Sequence, residues 1–420
     1  GGVLPAAAGP VPVGAATADL RALLRGGSPA AVRAYVDGLP ADVVHALVQA
    51  CPALLGAADG VPAPVRYTAN RVVISRALAR ARSDGDSSLA RRLDEWMRPG
   101  RQFLLVDLAG GRVAEVFGDL ATAAHVAVVV PGILNDPGNF DTDLSSDARH
   151  LHRQTCRSAP GQVATIAWLG YRTPTVITSP FDDAAAVAAG DLRDLVVGLL
   201  LRSGVTTTVV AHSYGSLVAA RALQLGLRVD AVVVLGSPGL GARTATGLEV
   251  PAGTRLYAAR APGDVVALSE NFGRDPTDPR FGIPRITTGD PRAGGPAGHG
   301  DYLRGESECL RNLARIVSGD YAEVTTVRPG RLERAVALPS QVSDVAGAGS
   351  VAVHVAERGM AARLPAPLRR PAEDIVEAQE RADHLIRRMR DPDLYVDITG
   401  DIADLSRTSG CPPSDPTGPS

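Results

Sequence analysis

The chain contains no lysine; all 43 of its basic residues are arginine. This absence removes whole classes of chemistry. A phosphate-binding P-loop needs a lysine on its phosphates, and a pyridoxal enzyme needs one for the Schiff base. Cysteine is scarce. Cys51, Cys156, Cys309 and Cys411 stand far apart, in none of the spacings that hold zinc. Four such residues permit two disulfides, with three possible pairings, or four buried thiols. No HExxH or paired CxxC is present, so a catalytic zinc site is not expected. No apolar run approaches the roughly 18 residues of a membrane span. Net charge is only −2, and no basic stripe offers itself to nucleic acid. The glycine-rich stretch "GSPGLGARTATG" has the wrong spacing for a dinucleotide fingerprint.

A length of 420 residues, 45% hydrophobic, suits one large domain with accessory parts, or two domains. Residues 1–14, "GGVLPAAAGPVPVG", read as a flexible linker. The start without methionine suggests that an upstream piece is removed. With the even cysteine count, this favours a secreted or envelope location over the cytoplasm. Residues 15–98 carry apolar residues at helical spacing, as in "PADVVHALVQACPALLG", read as one helix ending at Gly56. They form a segment packing on or capping the core.

The periodicity changes within the next segment, 99–330, which reads as one domain. "RQFLLVDL" and "RVAEVFG", joined by a glycine turn, predict an antiparallel hairpin. Strands then alternate with helices: "AHVAVVVPG", "QVATIAWLG", "VTTTVV", "VDAVVVLGSPG" and "TRLYAARAPGD", with "PRITTGD" as a candidate last strand. That order predicts an α/β fold, a mostly parallel sheet with helices on both faces and reacting groups at the carboxyl ends of the strands. Residues 331–405 read as a C-terminal helical extension, and 406–420 as a mobile tail.

The chemistry concentrates at Ala211-His212-Ser213-Tyr214-Gly215, between an apolar strand and a helix. This fits the nucleophile elbow, with alanine in place of the first glycine. A serine driven through so sharp a turn points its hydroxyl off the sheet at the positive end of the helix. His212, the immediate neighbour, projects elsewhere and reads as structural or pocket-lining. A serine needs a base, and the base an orienting acid. Asp264 ends a strand after the elbow, in "ARAPGD". Asp230 lies at the opposite strand end, Asp182 and Asp183 precede the serine, and Asp301 is a rival beside the base. Among the later histidines, His299 sits on a glycine-rich loop before a helix, whereas His354 and His384 lie past the last sheet element. Donors for a developing oxyanion are expected from the backbone N–H groups of Tyr214 and Ile133. Gly132 lets that backbone approach, and Ile133, Leu134 and Asn135 border the pocket.

With these residues in place, the chain resembles the α/β-hydrolase superfamily. More narrowly, it is similar to an α/β-hydrolase family of high-GC bacteria catalogued as a domain of unknown function. "ADGVPAPVRYTANR", "HVAVVVPG", "WLGY", "AHSYGS", "GSPG", "ARAPGD", "GHGDYL" and "LRNLARI" carry the likeness, over about residues 35–318. That family usually has glycine where Ala211 stands. The resemblance implies Ser213, Asp264 and His299 as a triad and implies no particular substrate. The expected function is a cofactor-free serine hydrolase acting on a small carboxylic ester through an acyl-enzyme. Acyl transfer, thioester or peptide cleavage and a non-catalytic scaffold are the alternatives, and partner proteins stay unspecified. The long stretch "GYRTPTVITSPFDDAAAVAAG" is a candidate lid or a plain surface loop.

Overall fold

The computed structural model describes residues 12–174, 183–199, 204–262, 264, 266 and 270–327. The expected extension and tail beyond 330, with His354, His384 and Cys411, lie outside the described residues, as do residues 175–182 of the candidate lid; its end, from Asp183, is helical.

Six helices come first: α1 (Val13–Gly26), α2 (Pro29–Asp37), α3 (Ala41–Ala50), α4 (Pro52–Ala57), α5 (Ala63–Ser83) and α6 (Ser87–Trp96). Ser28 caps α2, its hydroxyl accepting the Ala31 N–H, with Pro29 at the first position. Helix α1 begins inside the expected linker. Ala16 and Leu20, one turn apart, are fully buried, and their packing orders the segment. The helix expected to run unbroken to Gly56 is two. Pro52 cannot bond back to the preceding turn, and Cys51 leaves helical geometry at φ −138°, ψ 57°.

The sheet is built from β1 (Gln102–Asp107), β2 (Arg112–Phe117), β3 (His125–Val130), β4 (Val163–Leu169), β5 (Thr206–His212), β6 (Ala231–Leu235) and β7 (Arg255–Ala259). Among the described residues, the remaining α-helices are α7 (Leu144–Ser158), α8 (Asp183–Leu199), α9 (Gly215–Gln224) and α10 (Glu308–Val317). Strand order is β1-β2-β4-β3-β5-β6-β7. Only the β1–β2 and β2–β4 pairs are antiparallel. Alternation along β3 divides the core. Val126, Val128 and Val130 pack with Leu192 of α8 and Leu217 of α9, whereas Ala127 and Val129 pack with Leu151 of α7 and Leu313 of α10. The expected strand "PRITTGD" is reduced to isolated bridges at Arg285 and Ile286. Pro284 has no N–H to give, so pairing with β7 stops after one exchange at Ala258.

Strand β1 carries a bulge at Leu104, between the pairs Phe103–Glu115 and Leu105–Ala114. Side chains of α5 close it: Arg66 Nε donates to the Leu104 carbonyl at 2.9 Å, and Asn70 Nδ2 donates to that of Phe103 at 2.9 Å. On the next strand Glu115 is buried. It accepts from Arg101 Nε and Nη2 at 2.7 Å each and from Ser145 Oγ at 2.6 Å. Asp141 takes a further bond from Arg101 and one from Trp96 Nε1, each 2.7 Å. Glu115→Ala strips the half-buried Arg101 guanidinium of its bidentate partner and is expected to cost about 3 kcal/mol of stability in urea unfolding, with Glu115→Gln milder.

Two disulfides would need all four cysteines, but Cys51, Cys156 and Cys309 are free. Cys309 is enclosed in the α10 core, where burial pushes its thiol up to about 12. The Cys51 thiol donates to the Leu47 carbonyl at 3.3 Å, and Cys156 lies 3.5 Å from His152 Nε2. Cys51 and Cys156 are only half-buried, so burial of all four is not seen either.

Candidate active site

Ser213 stands in the turn from β5 into α9 with φ +54°, in the left-handed region. For a residue with a Cβ this costs on the order of 1–3 kcal/mol. The turn is held by Ser213 N–H donating to the Leu235 carbonyl of β6 at 2.9 Å. Its tightness explains the small flanking residues. Ala211 is fully buried, and a Cβ on Gly215 would sit 2.4 Å from the Pro131 carbonyl oxygen. Beneath the turn, Ser216 Oγ donates to the Ser213 carbonyl at 2.6 Å.

The loops after β7 and before α10 bring the other two groups to this point. His299 Nε2 lies 2.9 Å from Ser213 Oγ, and its Nδ1 lies 2.9 and 3.0 Å from the two Asp264 oxygens. A carboxylate only accepts, so Nδ1 carries the proton and Nε2 presents its lone pair to the hydroxyl. The Asp264 side chain is wholly enclosed, and His299 keeps 16% exposure. Burial alone would raise the Asp264 carboxyl. The His299 charge and the hydrogen bonds from His299 and Tyr302 outweigh it and hold the group well below the usual carboxylate range. With its folded value depressed, the group stabilises the fold above the ordinary carboxylate range and loses that contribution as pH falls through the folded value.

Two close approaches shape the site. A Cβ on Gly132 would lie 2.6 Å from Ser213 Cβ and 3.1 Å from its Oγ, so the loop after β3 is pressed against the serine. Gly236, at the end of β6, has φ +55°, and a Cβ there would lie 2.3 Å from Asp264 Oδ2 and 2.9 Å from His299 Nδ1. The acid–base pair passes directly over this glycine.

Every carbonyl from Pro131 to Asn135 is engaged. Tyr171 Oη donates to Pro131 at 2.7 Å, Asn135 Nδ2 to Gly132 and Ile133 at 3.2 and 3.1 Å, Asn139 Nδ2 to Leu134 at 2.8 Å, and Thr173 Oγ1 to Asn135 at 2.8 Å. In a trans peptide N–H and C=O point opposite ways. The Ile133 N–H is therefore directed away from the Asn135 amide. Leu134 is strained at φ +61° and nearly buried. Asn135, expected at the pocket border, turns its amide back onto the loop.

His212 is spoken for, with Nε2 lying 2.6 Å from the His299 carbonyl oxygen and the two rings 4.6 Å apart. A carbonyl only accepts, so Nε2 donates. Tyr214 is buried, its hydroxyl accepting the Ala185 N–H at 3.1 Å. Asp301 accepts the Gly298 N–H at 2.9 Å, a loop cap beside His299, and Asp230 accepts the Thr207 N–H at 2.7 Å at the far end of the sheet. Asp182 lies outside the described residues, and Asp183 opens α8.

The Alpha/beta hydrolase family model matches residues 108–273. An uncharacterised protein of Mycobacterium bovis is 32% identical over 190 residues, covering 42% of this chain and 71% of that protein. The chain belongs to the α/β-hydrolase family. An uncharacterised Mycobacterium tuberculosis protein is 28% identical to this α/β hydrolase over 398 residues, 77% of the chain. The chain spans 60% of that relative's length. A carboxylesterase from Mesorhizobium loti is similar in structure, with TM-score 0.32 and 16% identity over 52% of this chain and 97% of its own. Among the described residues of this α/β hydrolase, no group of three or more His, Cys, Asp or Glu is placed to hold a metal, and no helix is long and apolar enough to cross a membrane.

Sequence reasoning missed Gly236, Tyr302 and the loop staples Tyr171, Thr173 and Asn139. Two signals were available: a glycine directly after a buried strand in "LGSPG", and a tyrosine three residues beyond the histidine in "GHGDYL".

Proposed function

We propose that the chain is a serine hydrolase. The observation that carries this reading is the 2.9 Å approach of His299 Nε2 to the hydroxyl of a backbone-strained serine, with Asp264 behind the ring. Ser213 Oγ attacks an acyl carbonyl as its proton passes to His299 Nε2. The tetrahedral oxyanion is received by the N–H groups of Tyr214 and Ile133, worth roughly 3 kcal/mol each. His299 then gives the proton to the leaving alkoxide as the C–O bond breaks. In the second half a water loses its proton to His299 and attacks the acyl-enzyme carbonyl. The serine leaves with that proton and the acid is released. Asp264 holds the ring in the Nδ1–H tautomer and stabilises the imidazolium.

A carboxylic ester with an apolar acyl part is the proposed substrate. Ile133 and Leu134 form a small apolar cluster on the loop pressed against the serine, which supports an apolar acyl group. The test is an activity-based fluorophosphonate. It is expected to label the wild-type chain on the peptide containing Ser213 and to leave Ser213→Ala unlabelled. On p-nitrophenyl esters His299→Ala is expected to lose about 10⁴-fold or more in kcat, whereas His354→Ala and His384→Ala retain turnover. Folded wild-type protein that takes up no probe would overturn the reading.

A further inference from the structure

We propose that Tyr302 is a positioning residue that fixes Asp264 and sets the basicity of His299; this rests on the serine-hydrolase reading above. The Tyr302 hydroxyl accepts the Ala261 N–H at 2.9 Å. With that N–H occupying one side of the oxygen, its own hydrogen is aimed at Asp264 Oδ2, to which it donates a hydrogen bond. The direction of donation is set by chemistry, because an ionised carboxylate only accepts. Tyr302 is 2% exposed, and burial together with the Asp264 charge raises its phenol well above the usual range. It therefore stays a neutral donor through neutral pH.

Asp264 thus faces three donors: His299 Nδ1–H, Tyr302 O–H and, at 3.0 Å, the Val266 N–H. Each donor draws charge from the carboxylate. A carboxylate shared with Tyr302 stabilises the His299 imidazolium less than one serving His299 alone. The tyrosine therefore orders the acid and at the same time restrains the base. Among the described residues, other groups near the pair include His212 and Ser213 at the end of β5, Asp301 on the histidine's own loop, and Cys309 of α10 beside Tyr302. All of them are unchanged in the comparison below, so the sign of the effect belongs to residue 302.

The test is the pH dependence of the second-order rate of fluorophosphonate labelling at Ser213, which needs no knowledge of the natural substrate. Reaction requires neutral His299, so the acid limb of the profile reports the base. Tyr302→Phe removes the donor, and the limb is expected to move up by about 0.5–1 pH unit. Site-specific 3-fluorotyrosine at 302, a more acidic phenol and stronger donor, is expected to move it down. A residue that only fills space would move the limb in neither variant. A limb that stays put in both, or moves the same way in both, overturns the proposal. If Tyr302→Phe does not fold, the fluorotyrosine arm decides alone, a downward move supporting the role and no move overturning it. A wild-type chain that takes no label at all overturns the serine-hydrolase reading itself, and this role with it.

Discussion

Replacing Asp264 by asparagine is expected to lower kcat on a p-nitrophenyl ester by about 10⁴-fold while the chain stays folded. The pocket around this side chain presents three donors, from His299, Tyr302 and the Val266 N–H. Asparagine fills the same volume but brings an NH₂ group, which must find an acceptor. His299 Nδ1 can be that acceptor only if the ring moves its proton to Nε2. That hydrogen then points at Ser213 Oγ, 2.9 Å away, and the serine has lost its base. The loss is in the chemical step, so KM should move much less than kcat. Kinetics and thermal unfolding on one preparation check this. A loss of under tenfold in a folded variant would mean that Asp264 is not the orienting acid.

Gly236→Ala is the second large effect, at a position with no reacting group. An added methyl would need to share space with Asp264 Oδ2, 2.3 Å away, and His299 Nδ1, 2.9 Å away. The carboxylate must shift by something near 1 Å, which in a preorganised site is worth about 10²-fold in rate. The backbone adds its own strain of about 1–2 kcal/mol, since φ is +55°. A control separates the two contributions. Gly226 also has positive φ, +84°, but nothing lies within 4 Å of the position its Cβ would take. Gly226→Ala should therefore lose similar stability and keep full turnover. Equal activity in both alanine variants would show that the acid–base pair is not held against β6.

The contrast between these two glycines shows what was legible before the structure. The parallel sheet, its hairpin and the strand–serine–helix turn are written in short-range patterns: alternation in "RQFLLVDL", continuous apolar runs in "HVAVVV", small residues around Ser213. Ser213 and His299 lie 86 residues apart, yet each sits where local text marks a strand end or a loop. Gly236 carries no reacting group, and "GSPGLG" offers no carboxylate to mark that strand end. What matters at that strand end is the missing Cβ, which only the path of another loop reveals. The staples Asn135 and Asn139 were opaque for a different reason. Amides in loops have many local uses, and which carbonyl each one takes depends on the path of the loop. Pro52 and Pro284, by contrast, were visible in the text. Their missing N–H groups broke one expected helix and reduced one expected strand to a bridge.

The bulge at Leu104 has a consequence for the molecule's behaviour toward its own copies. The first strand lies at an outer margin of the sheet, where open carbonyls ordinarily invite a foreign strand to zip on. Here the arginine and asparagine of the fifth helix already occupy two of those acceptors. The helical block thereby acts as a stopper on that margin. Trimming it away is expected to uncover those acceptors and to let copies associate edge to edge, which size-exclusion chromatography would show as larger species.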